Sequence, residues 1–368
     1  MPFQALDLDL LKARLEPPRG RVRLVVDTDA ANEIDDQYAI AWALLTPERM
    51  TVEAVTAEPF SFAHHLPELL AAEAAIESGA EYDESRGGKY HGWASRLRAA
   101  GRKAGDEHFA GPAEGMELSF LEICRIYDKL GMNHHGRAFR GATRYMTDLS
   151  DPVVTESAQV IVDLAKSGGG PLYIAAMGCV TNIAAALLMA PEIIRDIVVI
   201  WTSAYPSHAP HCLRPSLNLV QDVPSSRLLF DSGVPLVYLP GYHVGAQLKI
   251  SRPEMESFVK GRGAIGDYLW QLFDDNPLHR KRAVKDTQRR TWVIWDIIDI
   301  AWLINPDWVP SYLTPAPRLT DDLYWRKEDG RHLIREGYDV QRDEIFLHFY
   351  DKLAALQADS TSRSAAIS

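Results

Sequence analysis

The sequence predicts an α/β fold, an open and mostly parallel sheet with helices on both faces. Three observations predict it: short β-branched runs that are apolar along their length, helical periodicities between them, and a cluster of carboxylates directly after the first run. A strand buried on both faces needs no polar alternation, and strands alternating with helices are the pattern of a parallel sheet. Ligands of such sheets bind beyond the carboxyl ends of the strands, so the acidic cluster marks where a site belongs.

Strands are expected over residues 23–26, 52–56, 172–176, 197–202 and 236–239, each bounded by polar, glycine or proline positions. Helices are expected over 37–45, 119–130, 156–166, 182–188, 225–230 and 295–304. Residues 60–118 break the rhythm with His64-His65, ESRGGKYHGW and a glycine-bearing AGPAEGMELS, and read as an insertion beside the sheet with the position of a lid. The chain is thus one domain over 1–357, followed by a disordered tail, ADSTSRSAAIS, over 358–368.

Composition narrows the function. A chain of 368 residues with 46% hydrophobic content can bury one large core. Its 39 basic and 50 acidic residues give a net charge of -11, and no lysine/arginine run offers a phosphate track, so nucleic acid is not an expected partner. Cys124, Cys179 and Cys212 are odd in number and lack C-x-x-C spacing, which argues against a disulfide framework or zinc and for a reducing cytoplasm. The N-terminus carries acids in place of a signal-peptide core, and no run has membrane-spanning length.

The stretch LVVDTDAANEIDDQYAIAWALL then raises the chemical question. Asp27 and Asp29 close the first strand, while Asp35 and Asp36 open the next helix. A helix dipole accounts for acids in a first turn, but one helix terminus does not need four. Carboxylates crowded beside a core cost several kcal/mol unless a cation or hydrogen bonds compensate. Oxygen donors without cysteine or histidine select a hard cation, calcium or magnesium. An EF-hand is excluded because position six lacks glycine and a strand precedes the loop.

The segment D-T-D-x-x-N-E-x-D-D at Asp27 to Asp36 resembles the signature of the nucleoside hydrolases, calcium-dependent enzymes that cleave the N-glycosidic bond of ribonucleosides. Most members have a shorter D-x-D-P-G-x-D-D loop, and this chain resembles the branch with two extra residues. PLYIAAMGCVTNIAAALLMAPEI is similar to the second marker of that family, G-x-x-T-N at Gly178 to Asn182. SLNLVQDVPSSRLLFDSGVPLVYLP resembles the asparagine-bearing ribose loop, and TWVIWDIIDIAWLINPDW the helix that completes the metal shell. The resemblance spans roughly residues 21 to 350.

It implies a single domain of nucleoside-hydrolase fold that binds one calcium at the strand ends and assembles as a homodimer or homotetramer. Asp29, Asp36, Asp296 and the Met177 carbonyl would hold the metal; Asp35 and Asn218 would bind the ribose; Asp27 would support the loop from behind. Breaking a C–N glycosidic bond passes through an oxocarbenium-like sugar and needs an activated water on one face. By that chemistry Asp29 is the candidate general base.

Two departures bear on the substrate. Trp295 stands where many members place a histidine acid, a position some purine-preferring members use to stack the base. Ser216 stands where a glutamate is usual, two residues before Asn218, so the sugar's 5′ end is held differently or is altered. An asparagine expected after the second strand is replaced by TAEPFSF, leaving Glu58 or Glu117 as substitutes. His208, His211 and His243 are the candidate substitutes for the missing acid.

GRGAIG at 261–266 matches G-x-G-x-x-G without the preceding strand a dinucleotide site requires, and reads as a loop. Two other functions compete with this one. VVDTDA superficially resembles a haloacid-dehalogenase-type phosphatase, but the later G-D-x-x-x-D pair is missing. A non-catalytic nucleoside-binding protein would keep the metal loop, yet binding alone needs no base such as Asp29.

Overall fold

The computed structural model describes residues 3–82, 89–209, 216–285 and 291–367, with side chains described up to residue 356. The first strand, β1 (Val22–Thr28), lies third in order, in the interior of an eight-stranded sheet. It pairs in parallel with β2 (Met50–Ala57) on one side and β4 (Leu172–Ala176) on the other. Beyond β2 lies the two-residue β3 (Ala138–Phe139); beyond β4 lie β5 (Ile197–Ser203) and β6 (Leu236–Pro240). Strand Leu333–Gly337 continues the parallel order, and only the edge strand Ser311–Pro315 runs antiparallel.

The apolar runs sort into two layers by the two-residue period of a strand. Leu24 and Val26 of β1 and Val198 and Ile200 of β5 join one core, while Val25, Val199 and Trp201 join the other. The first core is closed by α2 (Asp36–Leu44) and by helix Ile297–Ile304. Both are buried on nearly every side because each is sandwiched: α2 buries Tyr38, Ile40 and Trp42 completely. The second core is closed by α6 (Glu156–Lys166) and α7 (Thr181–Met189).

The strands expected from the sequence all form, that over 172–176 with the same bounds and the other four a residue or more longer than expected. The helix expected at 119–130 begins earlier, as α5 (Pro112–Lys129). Pro112 fits its first turn, where no N–H is needed. Gly115, within the glycine-bearing stretch assigned to the insertion, is required by packing: a Cβ would lie 2.0 Å from the Phe60 carbonyl oxygen.

Between β2 and α5, helices α3 (His65–Ser78) and α4 (Tyr90–Ala99) build a satellite core of Leu69, Trp93, Leu97 and Phe109. This insertion is fastened to the C-terminal end of helix Pro277–Lys281. Arg96 Nε donates to the Arg282 carbonyl at 3.1 Å, Arg102 Nη1 to that of Arg280 at 2.7 Å, and Lys281 Nζ to that of His108. GRGAIG forms a turn and the first turn of helix Gly263–Asp274, after a π-helical segment rather than a strand. Among the described residues no helix is long and apolar enough to cross a membrane. The tail expected from Ala358 falls on positions whose side chains lie outside the described residues, and the backbone there continues helix Arg342–Ile367.

Candidate metal centre and substrate cleft

The chain leaves the sheet at Thr28 and turns through residues 29–35 before α2 begins. Ala31 takes a left-handed φ of 77°, an expensive conformation for a residue with a Cβ. Asn32 makes the turn close: its backbone N–H donates to the Asp29 carbonyl at 3.1 Å, and its side-chain amide to Asp29 Oδ2 at 2.7 Å. Thr28 Oγ1 donates to Asp36 Oδ1, and Gln37 anchors the first turn of α2 on buried Glu122 at 3.2 Å. The carboxylates of Asp29, Asp35 and Asp36 therefore have fixed places at the carboxyl end of β1.

The far end of the chain completes the cluster. Asp296 precedes helix Ile297–Ile304, which packs on α2, and brings a carboxylate oxygen within 4.8 Å of oxygens of both Asp35 and Asp36. Asp29, Asn32, Glu33, Met177, Ser216, Asn218, Tyr242 and Trp295 line the same cleft. Met177 follows β4; its carbonyl accepts from Asn218 Nδ2 at 2.7 Å, so the expected metal carbonyl and the expected ribose amide are in direct contact. Gly178 presses on Asp29, since a Cβ there would lie 3.0 Å from both Cβ and Cγ of the aspartate.

Burial sets the electrostatics. Asp29 is pushed well above the usual carboxylate range by burial first and by Asp36 second. Asp35 and Asp296 are raised in the same way, by burial and then by Glu33 and by Asp35 respectively. Burial carries Asp36 up to about 7 against the Thr28 hydrogen bond. Glu33 is raised by burial and eased by the Arg282 guanidinium. Asp35 Oδ1 is buried without a hydrogen-bond partner. Clustered, ionisable, partly orphaned oxygens with no nitrogen or sulfur donor fit a hard divalent cation.

Behind the cleft, Asp27 accepts from Thr56 Oγ1 at 2.6 Å and Asn182 Nδ2 at 3.0 Å, tying β1 to β2 and to α7. Glu58 sits beside it, fully buried, and accepts from the Asn182 N–H at 2.7 Å. Of the two glutamates considered for the missing asparagine, Glu58 is thus the one near the site. Glu117 instead faces solvent, paired with Arg140 at 2.7 Å and outside the cleft. Ser216 Oγ is engaged by Ser203 Oγ at 2.7 Å and by the Ala204 N–H at 2.9 Å. His208 and His243 are exposed and do not line the cleft, and His211 lies outside the described residues.

Sequence reasoning did not single out Asn32, Glu33 or Tyr242. Asn32 and Glu33 sit inside the quoted acidic loop, and an asparagine three residues after an aspartate in a tight turn was a legible signal. Tyr242, in GYHVG after β6, carried none.

Residues 94–347 match the family described as inosine-uridine preferring nucleoside hydrolase. The chain belongs to that family. The match begins after the acidic loop, so the nucleoside hydrolase assignment and the reading of residues 27–36 are independent of one another. A relative from Arabidopsis thaliana, described as probable uridine nucleosidase 2, is 22% identical over 164 residues, 44% of this chain and 50% of the relative. The chain thus spans about half the length of the curated relative it matches. A purine-preferring ribonucleoside hydrolase from Gardnerella vaginalis superposes with a TM-score of 0.59 at 16% identity, covering 91% of this chain and 99% of its own. An inosine-uridine preferring nucleoside hydrolase from Bacillus anthracis gives 0.55 at 14%, covering 92% and 100%. At such identities the likeness is one of nucleoside hydrolase fold.

Proposed function

We propose that this chain hydrolyses the N-glycosidic bond of a ribonucleoside, with calcium, to free base and sugar. The observation that carries this reading is the convergence of buried Asp35, Asp36 and Asp296 on the cleft that Asp29 and Trp295 line, in a chain of this family. Asp29, Asp36, Asp296 and the Met177 carbonyl would hold the cation, and Asp35 and Asn218 would bind the ribose hydroxyls. Such a cation, when bound, would supply a water of lowered pKa. Asp29, oriented by Asn32, is placed to accept a proton from the attacking water. The surrounding carboxylates favour the positive charge that develops on the sugar.

Trp295 offers the leaving base an aromatic face. Relatives described as uridine and purine-preferring enzymes leave both base classes in the test. With Ser216 spent on Ser203 and Ala204, the cleft has a neutral hydroxyl pair there and no carboxylate to hold a 5′-hydroxyl. Free Cys124 and Cys179 suit a reducing cytoplasm.

Purified protein is incubated with a panel of purine, pyrimidine and 5′-modified nucleosides, with calcium or with chelator, and free base is followed by chromatography. Calcium-dependent release is expected; no release from any nucleoside in the presence of bound calcium would move the assignment to a nucleoside-binding protein. Gly178→Ala should fold but lower turnover roughly 10- to 100-fold, because its methyl displaces the Asp29 carboxylate by a fraction of an ångström. An unchanged rate with an unchanged melting curve would show that Asp29 need not be held there.

A further inference from the structure

Beside Trp295 the cleft is lined by Tyr242. The two rings meet edge to face, with centroids 5.8 Å apart and planes at 78°. Tyr242 also packs on Tyr205, with centroids 4.5 Å apart. Its backbone is pinned to the end of β5: the Gly241 N–H donates to the Ser203 carbonyl and the Tyr242 N–H to that of Ala204, both at 2.9 Å. The neighbouring residues pay for this placement, with Ala204 at a φ of 42° and His243 at 72°. Strain of this kind persists where surrounding structure over-determines it, commonly at ligand sites. Segment 241–245 then wraps the indole, since a Cβ on Gly245 would lie 3.8 Å from Trp295 Cε3.

We propose that Tyr242 is a base-recognition residue, a role that rests on the N-glycosidase reading above. Two aromatic walls near a right angle suit a planar heteroaromatic leaving group. A base lying along Trp295 turns its edge towards Tyr242, where the phenol hydroxyl can donate to or accept from ring nitrogens and exocyclic groups. Charge explains why a phenol belongs there. The remaining polar side chains along the described cleft are carboxylates, amides and aliphatic hydroxyls, with no histidine, lysine or arginine. When the C–N bond breaks, its electron pair passes to the base nitrogen. Carboxylates repel that charge, whereas a neutral O–H stabilises it by a hydrogen bond and transfers no proton.

The test compares wild type with Tyr242→Phe, in calcium, on inosine, adenosine, uridine and cytidine, with ribose as a competitive inhibitor. Loss of the hydroxyl should lower kcat/KM at least tenfold on the best nucleoside and narrow the differences between bases, while ribose inhibition stays within twofold. Values within twofold of wild type on every base would overturn the proposal. Calorimetric titration with free adenine and uracil separates its failure from that of the hydrolase reading. If wild type releases no base yet binds one, and Tyr242→Phe binds it tenfold more weakly, the recognition role stands and hydrolysis falls. Equal base affinity in both proteins, or none in wild type, overturns the role.

Discussion

Asp29→Asn should lower base release by about 10²–10⁴-fold, the usual contribution of a positioned general base. The substitution keeps the volume of the side chain and one oxygen, so the tight contact with Gly178 is preserved. What it removes is the ability to take a proton. The two roles proposed for Asp29 also separate here: one uncharged amide oxygen must serve both Asn32 and a cation, where the carboxylate offers two charged ones. Calcium affinity should therefore weaken together with turnover, and single-turnover base release at saturating calcium reads the proton-transfer part alone. Release within tenfold of wild type under those conditions would assign the base to another group, with Asp35 next in line.

In chelator, the folded chain should lose stability as the pH rises from 6.5 to 8, the opposite of ordinary acid denaturation. The folded-state pKa of Asp36 is raised from 3.8 to about 7, and Asp29, Asp35 and Asp296 are raised as well. A raised carboxyl contributes stability that is fully present below its unfolded pKa and is lost as the pH climbs through its folded pKa. For Asp36 alone the loss across that window is about 1 kcal/mol, and the other three carboxyls add to it.

Groups shifted the other way act below that window: burial lowers His65 to about 3 and His332 to about 4, so the stability they contribute is full above an unfolded pKa of 6.5 and is lost as the pH falls from there. Glu328, held down to about 2 by Arg318, contributes stability that is lost only as the pH falls towards that value. Calcium should reverse the slope, because it binds the ionised carboxylates and only in the folded state. Urea titrations at pH 6.5 and pH 8, with calcium and with chelator, measure both slopes. A chelated protein as stable at pH 8 as at pH 6.5 would show that the cluster is relieved without a cation.

How much of this was legible in the sequence depends on how local each signal is. The layers were legible because Leu24, Val25 and Val26 are apolar in succession, which only a strand covered on both faces tolerates. Asp29, Asp35 and Asp36 were legible because unlike charges are absent from their own loop. The span of α5 was not, because Gly115 weakens helix propensity while the reason for it, the Phe60 backbone, comes from another part of the chain. Glu117 looked as suitable as Glu58, and only burial separates them: one is paired on the surface with Arg140, the other lies under Asp27. Tyr242 had no signal, since a tyrosine in a glycine-bounded turn is ordinary and its function comes from an indole 53 positions later.

The cluster draws Asp36 and Asp296 together from opposite ends of the chain. A ribosome making this protein will have released the acidic loop and most of the sheet long before the last carboxylate leaves the exit tunnel. Until then the nascent cleft lacks one wall, along with Trp295, and has no complete cage for a cation. Any product that stops short of residue 296 keeps the mutual repulsion of Asp29, Asp35 and Asp36 without the ion that relieves it. Such fragments are poorly placed to pass as finished enzyme, and the cation acts as a late seal, joining the first part of the chain to be made to one of the last.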